Sequence, residues 1–127
     1  MNVLDSSGWL EYFANGPNAG FFAQPLADPT ALVVPAISIF EVFKRVLQQR
    51  GEAAALQASA LMQLGRVEVL DASLSMVAAR LSHELKLPMA DSIMLATARR
   101  FDAVLWTQDA DFSGLPGVRY VAKVAVD

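Results

Sequence analysis

The chain has 127 residues, 54% of them hydrophobic and 18% charged, with ten basic against thirteen acidic side chains, a net charge of -3 and no cysteine. That length fits one domain whose core holds without covalent staples, and the missing cysteines exclude a disulfide framework, a thiol nucleophile and thiolate zinc. The acidic balance excludes nucleic-acid binding through general positive charge, so a reading that involves a nucleic acid must rest on a local site.

Short β-prone runs alternate with stretches of helical period, the pattern of an α/β domain with a mainly parallel sheet. The first run, Asn2 to Leu4, passes through Asp5-Ser6-Ser7 into a short amphipathic helix carrying Trp9, Leu10 and Phe13. Met1-Asn2-Val3-Leu4-Asp5 has no basic segment and an acid where an export signal is apolar, so a cytoplasmic location is expected. After the Asn15-Gly16-Pro17-Asn18 turn, Asn18 to Leu26 predicts a short helix stopped near Pro25, and Leu32 to Val34 a second strand. The most apolar run, Ala31 to Phe40, contains Pro35 and ends at Glu41; a membrane-spanning helix needs roughly 20 apolar residues.

Ser38 is expected to begin a helix whose Ile39, Val42, Phe43, Val46 and Leu47 share a face, up to a stop at Gly51. From Glu52 to about Leu64 the next helix has Leu56, Ala60 and Leu64 four apart, read as one buried stripe. Val67 to Leu70 predicts a third strand, and Ser73 a cap for a helix with Leu74, Val77, Ala78, Leu81 and Leu85 on one face. Leu87-Pro88 breaks the chain before a helix from about Ala90 to Arg100, followed by strands at Ala103 to Trp106 and Val118 to Val121.

In open α/β sheets the working site lies beyond the carboxyl ends of the strands. Asp5, Asp71 and Asp109 follow three of those ends, and Glu41 and Asp91 stand at two helix starts. Acids gathered there lose hydration and repel one another, a conflict that a divalent cation resolves. Carboxylates without histidine or cysteine suit Mg2+ or Mn2+, which activate water and stabilise charge on a phosphodiester. Each acid also has a local reading. Ser38-Ile39-Phe40-Glu41 spells a capping box, Asp5 can cap the helix holding Trp9, Asp91 fits a helix dipole and Asp109 a turn. The separations of 36, 50 and 18 residues between Asp5, Glu41, Asp91 and Asp109 do not by themselves bring them together. His83, the one histidine, lacks the partners of a serine-type triad, and no glycine-rich phosphate loop occurs.

Four segments, Met1-Asn2-Val3-Leu4-Asp5-Ser6-Ser7, Val34 to Val42 around Glu41, Leu87 to Ala98 around Asp91, and Leu105 to Phe112 around Asp109, together resemble the four motifs of PIN-domain ribonucleases. More narrowly, they resemble the VapC toxins of VapBC toxin-antitoxin modules. The resemblance implies a single PIN domain over residues 1–127, an α/β/α sandwich with a central mainly parallel sheet. It implies a Mg2+- or Mn2+-dependent endoribonuclease acting on RNA, commonly a structured RNA of translation, and a cognate VapB-type antitoxin that silences it. A homodimer and a toxin-antitoxin hetero-oligomer belong to the same implication.

By this resemblance Asp5, Glu41, Asp91 and Asp109 are the catalytic metal ligands, Ser6 and Thr107 the hydroxyls that orient a ligand or water, and Asp111 an acid further out that competes with Asp109 for the ion. Lys44, Arg45, Arg50, Arg99 and Arg100 are candidates for RNA phosphate contacts, although basic residues are favoured at helix C-termini in any case. The rival readings are a PIN-like module that binds RNA or protein without cutting, and a phosphotransfer receiver or phosphatase with Asp5 as nucleophile. Against the last, Ser7 stands where a phosphatase carries a second acid. If the four acids form the site, the rest of the chain holds nine acids to ten bases.

Overall fold

The computed structural model describes residues 1–125; the last two positions of the expected domain lie outside the described residues. Its five strands are β1 (Asn2–Leu4), β2 (Val33–Pro35), β3 (Arg66–Glu68), β4 (Val104–Thr107) and β5 (Val118–Tyr120). β1, β4 and β5 pair in parallel in that order, β2 pairs in parallel with β3, and a parallel bridge between Asn2 and Leu32 sets β2 beside β1. The strand order is therefore 3-2-1-4-5 with β1 at the centre, and it reverses between β1 and β4, the place where such sheets open a crevice at their carboxyl ends.

Residues along the strands alternate between two cores. Val3, Val33 and Leu105 face α5 (Ala72–Leu85) and α6 (Met89–Arg100), packing with Leu74, Leu81 and Leu95. Leu4, Val34 and Trp106 face α1 (Ser6–Phe13), α2 (Ala19–Leu26), α3 (Ala36–Arg50) and α4 (Glu52–Met62), packing with Trp9, Phe22, Val42 and Met62. A period of two on strands with both faces covered makes an α/β/α sandwich. No helix among the described residues is long and apolar enough to cross a membrane.

Several local expectations are corrected. Pro35 closes β2 and opens α3 at once, so the helix begins at Ala36 and Ser38 lies inside it, buried, with no partner for its hydroxyl among the described residues. The capping box is absent, which frees Glu41. In α4 the buried stripe is Ala55, Ala58 and Met62, whereas Leu56 and Leu64 are 55% and 64% exposed. Small alanines let α4 approach Val42 and Val46 of α3, and that close approach rotates the leucines outward. Asp71, not Ser73, caps α5, its carboxylate accepting from the Leu74 N–H at 2.7 Å. Gly8 shows another close approach, since a Cβ there would lie 2.6 Å from the Phe22 ring. Any larger residue there would force the fully buried Phe22 ring to shift.

Candidate metal centre

Asp5 leaves the end of β1 and caps α1 in the same step, its Oδ1 accepting from the Gly8 N–H at 2.8 Å and from the Ser7 hydroxyl at 2.9 Å. Its Oδ2 accepts from the Thr107 hydroxyl at the end of β4. That hydroxyl in turn accepts from the Asp109 N–H at 2.8 Å, so β1, β4 and the Asp109 turn are joined through one side chain. Asp109 Oδ1 accepts from the Asp111 N–H at 2.9 Å and so opens the 3-10 turn Ala110–Phe112. On the other side of the crevice Glu41, six residues into α3, accepts from the Ser6 hydroxyl at 2.7 Å. Asp91 stands in the first turn of α6.

Capping and convergence are thus not alternatives for Asp5 and Asp109; one geometry does both. Asp91, Asp109 and Asp111 each present a carboxylate oxygen, all within 4.8 Å of one another. Burial pushes Asp91 up to about 7, and the charges of Asp109, Asp5, Glu41 and Asp111 push the same way. Asp5 and Glu41, outside that triad, are thus still near enough to act on the Asp91 carboxyl. Burial also raises Asp5, 2% exposed, to about 6, against the lowering effect of its bonds from Thr107, Gly8 and Ser7, and Asp109 adds to the rise. An all-oxygen donor set under mutual repulsion fits a hard divalent cation and does not fit zinc.

Other candidates fall elsewhere. Asp71 follows a strand but pairs with Arg100 at 3.1 Å, and that guanidinium holds its carboxyl below the ordinary range. Arg99 and Arg100 close the helix that Asp91 opens, roughly 12 to 14 Å away along its axis. Lys44 lies over the Phe40 ring at 6.0 Å. Arg45 and Arg50 instead line a cleft between α1 and α3. Sequence reasoning did not single out Ser7 as a partner of Asp5, nor Asn18 and Gln108, which form a buried pair beside the acids. Ser7 was open to detection, because a serine two residues after a helix-capping acid is placed to bond back. Asn18 and Gln108 lie 90 residues apart and carry no local signal.

A family model for the PIN domain matches residues 3–118. The chain belongs to the PIN domain family. Solved structures with this fold include a chain of a toxin-antitoxin complex from Klebsiella pneumoniae, 24% identical with a TM-score of 0.77, covering 94% of this chain and 96% of that one. Another is the Mycobacterium tuberculosis VapC20 toxin, described as cleaving the sarcin-ricin loop, 21% identical with a TM-score of 0.76, over 91% of this chain and 95% of that one. A DNA-bound VapBC from Salmonella typhimurium matches at 15% identity and a TM-score of 0.73, covering 96% and 97%. No curated protein matches the sequence. The acids of this PIN domain lie at the end of β1, just past β4, in the second turn of α3 and in the first turn of α6, beside the crevice that the reversal of strand order opens.

Proposed function

We propose that this PIN domain is the toxin of a toxin-antitoxin pair, a divalent-metal-dependent endoribonuclease of the cytoplasm that hydrolyses RNA phosphodiesters and is silenced by a VapB-type antitoxin. The observation that carries the reading is the approach of Asp91, Asp109 and Asp111 within 4.8 Å, with Asp5 and Glu41 near enough to raise the Asp91 carboxyl. The likeness to toxins and to toxin-antitoxin complexes over more than nine-tenths of the chain supports the biological role.

Asp91, Asp109 and Asp111 would hold the cation, Mg2+ or Mn2+, with Asp5 and Glu41 completing the negative field; when bound it supplies polarisation of a water and neutralises charge added to a phosphodiester. The chain's own residues prepare that site. Thr107 fixes the Asp5 carboxylate and the Asp109 backbone together, and Ser6 fixes Glu41. Such preorganisation spares the reaction the cost of turning dipoles as charge develops. The non-cutting reading has the acids serve as caps and as a docking patch; Asp91 does not cap α6, whose cap is Pro88, and stands in its first turn, so that reading predicts little divalent-ion affinity and no loss of it in Asp91→Asn.

The direct test is incubation of antitoxin-free protein with total RNA in Mg2+ or Mn2+. Discrete cleavage that stops on chelation is the expected result. Intact RNA under every metal condition would refute the ribonuclease reading.

A further inference from the structure

Two neighbouring cavities share Ser7, Gln108 and Lys123. One, of about 490 Å³, reaches Asp109; the other, of about 290 Å³, runs between α1 and α3 past Arg45 to Arg50. Joined at these residues, they form one groove that meets the metal centre at Asp109 and carries Arg45, Arg50 and Lys123 along its length.

The ten basic residues sort by what engages them. Arg66 pairs with Glu68 and Arg100 with Asp71, while Arg119 lies over Trp106 and Lys44 over Phe40. Among the described residues Arg45, Arg80, Lys86, Arg99 and Lys123 have no ion-pair partner, and Arg50 makes only a 3.4 Å bond to the Phe13 carbonyl. Of these six, Arg45, Arg50 and Lys123 line the groove. Its one acid away from the metal centre, Glu11, is engaged by the Asn18 N–H at 2.9 Å, and the turn around it leaves no room for a Cβ at Gly16.

Gln108 stands where the two cavities join, 6% exposed. Asn18 Nδ2 donates at 3.0 Å to the Ala122 carbonyl, which only accepts, so the Asn18 amide has one orientation. The same Nδ2 donates at 3.0 Å to Gln108, which must therefore present Oε1 to it. Gln108 Nε2 is left as an oriented donor without a protein partner among the described residues, on the wall of the groove.

Resting on the ribonuclease reading above, we infer that this groove is the track for the RNA strand on one side of the cut phosphodiester, with Gln108 Nε2, Lys123, Arg45 and Arg50 as its backbone partners. The charge pattern selects the occupant. A strand whose reacting phosphate meets a cation at the acids, and whose next phosphates meet the bases, complements both ends. An acidic peptide complements only one. A cleft of this volume admits a splayed single strand, and Leu10 and Phe13 on its wall offer apolar surface to a base.

The test uses a labelled single-stranded RNA spanning a cleavage site mapped with the wild-type protein, and two shorter RNAs trimmed on either side of the cut. Gln108→Glu keeps an oxygen for Asn18 but replaces the donor by an anion, so it preserves the fold's contact while opposing a phosphate. It is expected to raise KM about tenfold with kcat little changed, the signature of lost uniform binding. The Arg45→Ala, Lys123→Ala double variant should raise KM too and lower the salt slope of binding by about 1.4, roughly 0.7 for each single-strand phosphate contact. Both effects should vanish on one of the two trimmed RNAs and persist on the other. Wild-type KM for both variants on the full RNA, or equal losses on both trimmed RNAs, would overturn the track while leaving the ribonuclease reading intact. A wild-type protein that cleaves no RNA would remove both.

Discussion

Thr107 is the residue through which the acids hold their places. Its hydroxyl donates to Asp5 and accepts from the Asp109 N–H, so one oxygen ties the ends of β1 and β4 to the turn that carries Asp109 and Asp111. Thr107→Val keeps the shape and removes both bonds. Partners that orient a ligating carboxylate typically contribute 10- to 100-fold in metal affinity. We expect a Mn2+ affinity at least roughly tenfold weaker in Thr107→Val, with recovery in Thr107→Ser, both read by calorimetry. Equal affinity in all three proteins would show that the hydroxyl only packs. The acids themselves could be picked out in the sequence because they sit beside strand ends and helix starts. Their convergence could not, since it depends on which strands are neighbours.

At the scale of elements, α3 shows where local pattern misleads. Ser38 and Glu41 have capping-box spacing, but Pro35 starts the helix two residues before Ser38, and the serine enters the core with an unpartnered hydroxyl. A buried hydroxyl without a partner costs stability, so Ser38→Ala should leave Tm unchanged or higher. A loss of about 1 kcal/mol on thermal unfolding, the usual effect of removing a cap, would contradict the structure. In α4 the same kind of error has another cause. Leu56, Ala60 and Leu64, spaced four apart, make an apparent stripe, yet Ala55 and Ala58 win the buried face because they let two helices approach closely. Strand positions were legible to within a residue or two, because alternation between two apolar faces leaves strong β-prone runs. Their ends shifted where pairing decided them: Arg66 donates to the Leu32 carbonyl at 2.9 Å and so starts β3 one residue early.

Over the whole molecule, the cluster makes stability depend on pH and on cation. Asp5 and Asp91 are raised from the ordinary value of 3.8 to about 6 and about 7, so in the cation-free protein each binds its proton more tightly folded than unfolded. The stability this gives is fully present below about pH 4 and is lost as pH rises through 6 and 7. For the buried Asp5 it amounts to about 3 kcal/mol, and less for half-buried Asp91, where solvent screens the charges. Asp71 is shifted the opposite way but is fully exposed, and opposes this trend only weakly. Thermal scans in chelator should show a lower Tm at pH 8 than at pH 5, with Mn2+ restoring it at pH 8. A Tm that rises from pH 5 to pH 8 in chelator would mean that the acids do not strain the fold. The net charge of -3 has the same origin, since the acids that set the balance are concentrated at the crevice rather than spread over the groove beside it. The central claim, that these acids form one cation site, is tested most directly by titrating Mn2+ into the chelator-treated protein and into Asp91→Asn by calorimetry. Saturable binding to the first and at least roughly tenfold weaker binding to the second is the expected result. No saturable binding to the wild-type chain, or equal affinity in the two proteins, would contradict it.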